Sequence, residues 1–457
     1  MATTTSTTLS SSYELTPRVS RPQFDPLPSS ESVPTTETGD LLAHSDDPEF
    51  SLPPVDGGKD AWLFLAGAFM IEALVWGFPF AFGVFQSYYS RHPAFEGQPG
   101  IPLIGTLQSG IMYLSSPLVL YFLTQFPQWR RKASIAGLVM CTASFIGASF
   151  SNTVTQLAVN QGVLFALGGG LLYSPVIIYM DEWFHARKGL AYGVMWGGTG
   201  VSGVAIPIIM NAVLEHPGWD YRTAHRASAV ALVVLSAPLL VFIKPRIPVA
   251  KTTARKRISL SFLRSPTFWL LQSGNILQGL GFFMPSIYIP TFATSLNFSP
   301  GIGTLLLSLI NGASILGQVL LGHLSDYTHV SVTILISTIT SSLSIFLLWG
   351  LSTHVAQLVI FSLVYGFFAG GYSATYVGSC QAVKKKDTQA EMGMIFGFFA
   401  AGRGLGNVIA GPVSEALMSN WHGGGLKAAY GSTMGGLVIF SGVFVLAGAV
   451  GAGSRWL

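Results

Sequence analysis

The sequence predicts an all-α membrane protein with twelve transmembrane helices in two six-helix bundles. Three observations predict it. Of the 457 residues 50% are hydrophobic and only 10% are charged, with a mean hydropathy of +0.53, whereas a soluble domain carries about 25% charged residues. Twelve apolar runs each approach or exceed the roughly 20 residues that a helix needs to cross a bilayer core. Lysine and arginine are also shared very unevenly between the two sets of connections that join those runs.

Residues 1–58 come first and are Ser/Thr/Pro-rich, as in TTTSTTLSSS and PLPSSESVPTTETGD. Such a segment buries too little apolar surface to offset its ordering entropy, so it reads as a disordered cytoplasmic tail. No apolar stretch of signal-peptide length precedes residue 61. The N-terminal bundle, 59–243, holds runs at 61–89, 101–123, 132–151, 156–180, 188–214 and 225–243. A basic cytoplasmic linker follows at 244–266, KPRIPVAKTTARKRISLSFLRSP. It is the kind of segment that lies beside anionic lipid and needs no chemistry of its own. The C-terminal bundle, 267–457, holds runs at 267–294, 301–323, 330–350, 355–380, 390–416 and 427–451.

With the N-terminus placed in the cytoplasm, only Arg91, Arg222, Arg226 and Lys427 of the 24 Lys and Arg residues fall on the opposite side. Arg403 alone lies within a span. The rest gather in the tail, the cytoplasmic connections and the C-terminal end. That split places both termini in the cytoplasm and requires an even number of spans.

Several function classes are excluded by what is missing. Cys141 and Cys380 fall in separate spans and form neither a disulfide framework nor a metal site. No P-loop, HExxH, GxSxG or CxxC occurs, so the sequence calls for no cofactor, no metal and no enzymatic reaction. The basic residues are explained by topology, so the pI near 9.0 does not point to nucleic acid.

An internal repeat joins the two halves. GLAYGVMWGGTGVSG (189–203) aligns with GMIFGFFAAGRGLGN (393–407), setting Gly189, Gly193, Gly198 and Gly200 over Gly393, Gly397, Gly402 and Gly404. At about 100° per residue, 393, 397 and 404 share one helix stripe, and 402 and 406 lie opposite. The eleventh span is therefore narrow on two sides and suited to close packing between neighbours. Arg403 sits on neither smoothed side.

Three motifs resemble the major facilitator superfamily over about residues 54–452, specifically fungal proteins similar to monocarboxylate porters. DGGKDAW (56–62), followed by GAF (67–69) and FP (78–79), resembles that family's entry to span one. WFHARKGLAYGVMWGGTG (183–200) resembles its turn into span five, and GHLSD (322–326) resembles the superfamily's Gly-x-x-x-Asp turn. The resemblance implies two six-helix halves, alternating access, and a central cavity lined by spans 1, 4, 7 and 10. Lactate-type members carry a lysine just after the span-one Phe-Pro, and an Asp and an Arg four apart in span eight. This chain has Phe80, Ser314 and Gln318 there. Fold transfers; small-monocarboxylate specificity does not.

Candidate site residues follow from position and type. Glu72 is the only acid well inside a span, where a carboxylate costs a few kcal/mol or more. It reads as a proton carrier, or else as a neutral acid bonded to a neighbouring helix. Asn275 and Gln278, with Gln272, occupy one arc of span seven. Tyr365, Tyr372 and Tyr376 are spaced by seven and eleven in span ten, which suits a partly apolar, oxygen-bearing solute. Arg403 is a permanent cation and reads as an anion ligand, or as a structural donor to backbone carbonyls. Asp181, Arg187, Lys188 and Asp326 read as cytoplasmic gate contacts. Asn297 heads the sequon Asn297-Phe298-Ser299 in an exofacial loop. The loop histidines His216, His225, His329, His354 and His422 read as solvated.

The expected protein is a monomeric secondary transporter in the plasma membrane, with a vacuolar or other internal membrane as the alternative. Its expected partners are the lipid bilayer, a small-molecule substrate and a coupled proton. The expected substrate is an organic acid or amphipathic metabolite, exported as a secondary metabolite. The alternatives are uptake of a small monocarboxylate or vitamin, and a transport-dead nutrient sensor.

Overall fold

The structure is a computed structural model that describes residues 52–96, 98, 100–248, 258–421 and 428–456. Twelve helices in it are long and apolar enough to cross a membrane. They are α1 (Lys59–Tyr89), α2 (Ile101–Gln125), α3 (Pro127–Ser149), α4 (Val154–Trp183), α5 (Lys188–Leu214) and α6 (Tyr221–Val241). The second six are α7 (Pro266–Ser295), α8 (Gly301–Tyr327), α9 (Val330–Trp349), α10 (Val355–Lys386), α11 (Met392–Asn420) and α12 (Gly435–Arg455). In hydrocarbon every backbone N–H and C=O needs an internal partner, which is why runs of this composition become helices.

Local chemistry sets the ends. Thr153, Asp220 and His329 cap α4, α6 and α9 by accepting from the backbone N–H of Gln156, Thr223 and Ser331. Pro266 opens α7, where its missing N–H costs nothing. Pro79 lies inside α1, whose helical pattern is interrupted at Ala81 before continuing as Phe82–Tyr89. Several predicted ends shift, the furthest being those of α10, which runs on to Lys386, and α12, which begins at Gly435 rather than 427.

Helix pairing repeats between the halves. In the first six, α1 packs on α5, α2 on α4, and α3 on α4 and α6; in the last six, α7 packs on α11, α8 on α10, and α9 on α10 and α12. Between the sixes the main seams are α5 on α8 and α2 on α11. Residues Leu52–Leu457 form one compact unit by contact.

The glycine stripes lie in these seams. Gly189, Gly193 and Gly200 face α8; Gly393, Gly397 and Gly404 face α2; Gly402 and Gly406 face α7. At Gly397 the approach is tight enough that a Cβ would stand 3.0 Å from the Pro117 Cα. A side chain there would force α2 and α11 apart.

Among the described residues the hydrophobic core joins the halves at one end only. One cluster runs through the first six helices and takes in Leu321, Tyr376, Cys380, Ile395, Phe399 and Ala452 from the last six. A separate cluster around Met284, Phe292, Trp349 and Phe361 holds the other end of the last six. The sixes are thus packed together on the side of the termini and parted on the opposite side.

Two expectations are corrected, those for residues 52–58 and for His225, and the ends of the linker are located. The tail was drawn as 1–58; residues 1–51 lie outside the described residues, but 52–58 are docked. Asp56 donates its N–H to the Trp183 carbonyl at 3.0 Å, and the Pro53 carbonyl accepts from Arg246 Nε at 2.8 Å. The linker 244–266 lies partly outside the described residues, at 249–257. Its start is held by Glu182, which accepts from the N–H groups of Arg246 and Ile247 at 3.1 and 3.4 Å. Its end is held by Ser261, which donates to Asp387. Finally, His225 is not solvated. It is fully buried one turn inside α6, bonded through Nε2 to the Tyr89 hydroxyl at 2.8 Å and stacked on Phe85. The span starts at Tyr221, four residues earlier than predicted, which carries His225 into the core. His422 lies outside the described residues.

Candidate functional site

Between the parted ends lies a cavity of about 1730 Å³. Its wall reaches Arg91, Glu215, Thr291 and Ser419, all at helix ends away from the termini, so it opens on that side. The wall is wider than expected: α2, α5, α8 and α11 contribute as well as α1, α4, α7 and α10. This follows from the α2–α11 and α5–α8 seams, which part above their glycine contacts and leave those helices facing the gap.

Glu72 and Arg403 both line the cavity, and both are 3% exposed. Glu72 Oε1 accepts from Thr199 Oγ1 at 2.5 Å, and the Tyr173 hydroxyl stands close enough to interact with the same carboxyl. Arg403 donates from one terminal nitrogen to Gln278 Oε1 at 2.5 Å. Its guanidinium carbon stands 4.2 Å from the centre of the Phe282 ring, with Phe283 and Tyr372 at 5.6 and 5.9 Å. Among the described residues no carboxylate lies within ion-pair distance of Arg403. Tyr113 of α2 stands within electrostatic reach of both Glu72 and Arg403.

The two polar pairs are related by the repeat. Thr199 and Arg403 are 204 residues apart, at equivalent positions of α5 and α11. Each bonds a polar side chain on its neighbour, α1 or α7. One duplicated contact has thus become an acidic pole in the first half and a cationic pole in the second.

Around the poles the wall is aromatic. Trp76 and Tyr113 have ring centres 4.4 Å apart, and Tyr173 accepts from Trp196 Nε1 at 3.0 Å. Trp196, Tyr376 and Phe396 close the floor, with Trp196 at 6.1 Å from Tyr376 and 6.2 Å from Phe396.

Of the seven candidate substrate residues, Glu72, Tyr376 and Arg403 line the cavity. Asn275, Gln278, Tyr365 and Tyr372 do not. Asn275 ties helices together, donating to the Phe399 carbonyl at 2.7 Å and accepting from the Tyr376 hydroxyl at 2.7 Å. Gln278 stands behind Arg403 and orients it. Tyr365 donates to the Phe282 carbonyl at 2.7 Å and belongs to the core. The three tyrosines fail to share a face because Gly371–Ala374 is a 3₁₀ turn, which advances 120° per residue and rotates the register after Tyr372. Phe80, Ser314 and Gln318 do line the cavity, so an uncharged side chain faces it at each position of the lactate-type clamp.

The opposite, closed side holds the gate candidates. Lys188 and Asp181 pair at 2.8 Å, and Arg130 and Glu182 at 3.3 Å, all within the first six helices. Asp326 of α8 crosses to the first half, accepting from the N–H groups of Gly189 and Leu190 at 2.6 and 2.9 Å. Arg187 contributes its backbone N–H, which Asp56 accepts at 3.0 Å; its side chain is exposed. Asn297 is exposed in the short α7–α8 turn on the cavity's open side, with φ of +62°.

Thr199, Tyr113, Trp76, Phe282 and Asp56 were not predicted as site residues. Two carried a readable signal. Thr199 is the repeat-equivalent of Arg403, and Asp56 begins the DGGKDAW motif. The aromatics gave none, because in an apolar helix nothing in the spacing separates a cavity wall from a core.

Known proteins match this architecture along nearly its whole length. The family model described as Major Facilitator Superfamily matches residues 64–330 and again 271–457. The chain is 27% identical over 399 residues to "MFS transporter asaE" of Aspergillus flavus, covering 86% of each chain. It is 26% identical over 408 residues to "Fujikurins efflux protein" of Gibberella fujikuroi, covering 88% of this chain and 84% of the relative. It is 28% identical over 432 residues to "Agnestins efflux protein AgnL12" of Paecilomyces divaricatus, covering 93% of each.

Proposed function

Because the chain belongs to the major facilitator superfamily, we propose that it exports a bulky amphipathic organic acid by alternating access, with Arg403 holding the acidic group and Glu72 carrying a coupled proton. The carrying observation is a buried carboxyl group and a buried guanidinium, neither in an ion pair among the described residues, lining one aromatic-walled cavity. A buried guanidinium cannot shed its proton and is most stable with an anion beside it. The cavity size supports a large solute, since about 1730 Å³ exceeds the 300–1,000 Å³ of common small-molecule pockets. Phe80, Ser314 and Gln318 on the wall argue against a lactate-type clamp. Relatives named as efflux proteins favour export over uptake.

With both termini in the cytoplasm, as the basic residues indicate, the cavity faces outward and the protein acts as a monomer in the plasma membrane. Ser299 is exposed beside Asn297 and tests that orientation. Ser299→Cys reacts with an impermeant thiol reagent on intact cells, while the native Cys141 and Cys380 are buried and stay silent. Labelling only after permeabilisation overturns the orientation. Glycan occupancy at Asn297 is expected to be low, because the turn between the helices is short.

Tracer flux into vesicles tests the function itself. Purified protein is expected to move radiolabelled amphipathic aromatic acids faster under a pH gradient, and lactate no faster than protein-free vesicles. Movement of lactate but not of the larger acids overturns the substrate reading. No flux of either supports the transport-dead sensor instead.

A further inference from the structure

The N-terminal end of α5 is held by two carboxylates from distant parts of the chain. Asp56, in the segment before α1, accepts from three consecutive N–H groups, those of His185, Ala186 and Arg187, at 2.7, 2.9 and 3.0 Å. Asp326, from α8 in the other half, accepts from the N–H groups of Gly189 and Leu190 in the first turn of α5. Five backbone donors, three in the turn that leads into α5 and two in its first turn, are thus divided between an acid of its own half and an acid of the opposing half. Asp56 adopts φ of +59°, a conformation uncommon outside glycine, to bring its carboxylate there. Its own N–H is fixed on the Trp183 carbonyl at 3.0 Å. Partial burial alone would raise the Asp56 pKa, but the three N–H donors and the nearby His185 outweigh it and hold the carboxyl below its usual range.

The two bonds differ in what happens to them during alternating access. Asp56 and the 184–188 turn belong to the same half and stay together when the halves rock. Asp326 and α5 belong to different halves and must part when the closed side opens. We infer that Asp56 is a positioning residue for this gate: it fixes the 184–188 turn so that the Gly189 and Leu190 N–H groups present themselves to Asp326 and hold the terminus side shut. Without Asp56 the same donors remain, but the turn that aims them is free to move. The gate then closes less often, with no loss of a contact between the halves.

Cys380 reports on this directly. It is buried on the closed side beside Asp181 and Tyr192 of the first half and Phe396 of the second. The measurement is the rate at which a small maleimide labels Cys380 in the purified full-length Cys141→Ser protein. Asp56→Ala is expected to raise that rate about tenfold and Asp56→Asn, which keeps one acceptor of the same shape, about threefold. Asp326→Asn raises it as well, and adding Asp56→Ala to Asp326→Asn brings little further increase, since Asp56 acts only by aiming the donors that Asp326 accepts from. An unchanged rate in Asp56→Asn overturns the inference. So does full additivity in the double variant, which would make the two acids independent. If Asp56→Ala does not fold, the Asn variant alone and combined with Asp326→Asn decides the question. The readout needs no substrate, so failure of the proposed export reading leaves it intact.

Discussion

Arg403→Gln weakens equilibrium binding of an amphipathic carboxylic acid by about a hundredfold, and Arg403→Lys by about tenfold, with both proteins folded. The ranking follows from geometry. The guanidinium carbon stands over the Phe282 ring at 4.2 Å from its centre, with one terminal nitrogen given to Gln278. Tyr113 and Tyr376 of the cavity wall also stand within its reach, and a carboxylate ligand in the cavity meets the same fork of donors. Lysine keeps the charge but loses both the fork and the flat stacking surface. Glutamine loses the charge as well, leaving the acidic group of the ligand desolvated without compensation. Isothermal calorimetry on purified protein separates the effects, with thermal unfolding of each variant as the control. If both variants unfold at equally lowered temperatures while binding is unchanged, Arg403 belongs to the scaffold.

The sequence showed the fold more plainly than the site, and for a physical reason. A bilayer demands long apolar helices, so composition alone reveals their number and approximate ends. The seams were also legible, because glycines at helical spacing mark close approach: Gly189, Gly193 and Gly200 meet α8 as their stripe implies. Which polar residues face the cavity was less legible. Helical periodicity placed Tyr365, Tyr372 and Tyr376 on one face, and a four-residue 3₁₀ turn at Gly371–Ala374 undid it. Nothing in GYSA signals that turn. Asn275 and Gln278 look like ligands on a helical wheel, yet Asn275 is spent on the α10–α11 packing and Gln278 on Arg403. By contrast, Glu72 and Arg403 could be found from sequence because a charge inside a span is expensive anywhere but beside protein, water or ligand. Asp56 was read as part of a tail because composition averages over the window, and a docked stretch of seven residues does not change the average.

Glu72→Gln abolishes accumulation driven by a pH gradient, lowering it at least about tenfold to the passive level, while leaving substrate counterflow near wild type. Glutamine preserves the shape and can still accept from Thr199, so the α1–α5 contact at 2.5 Å survives the change. What it removes is the capacity to bind and release a proton. Glu72 lines the cavity, which in this conformation opens away from the termini, so a proton arriving from that side can reach its carboxyl. Access from the other side is barred by Trp196, Tyr376 and Phe396 and, below them, by the Asp326 bond to α5. Glu72 therefore meets one aqueous phase at a time, which is what coupling requires. Counterflow exchanges labelled for unlabelled substrate with no net proton movement, so it isolates binding and rocking from coupling. Normal pH-driven transport by the glutamine variant would show that Thr199 and Glu72 are simply a buried hydrogen bond between α1 and α5. Loss of counterflow together with pH-driven transport would assign Glu72 to substrate binding instead, and the proton would then need another carrier.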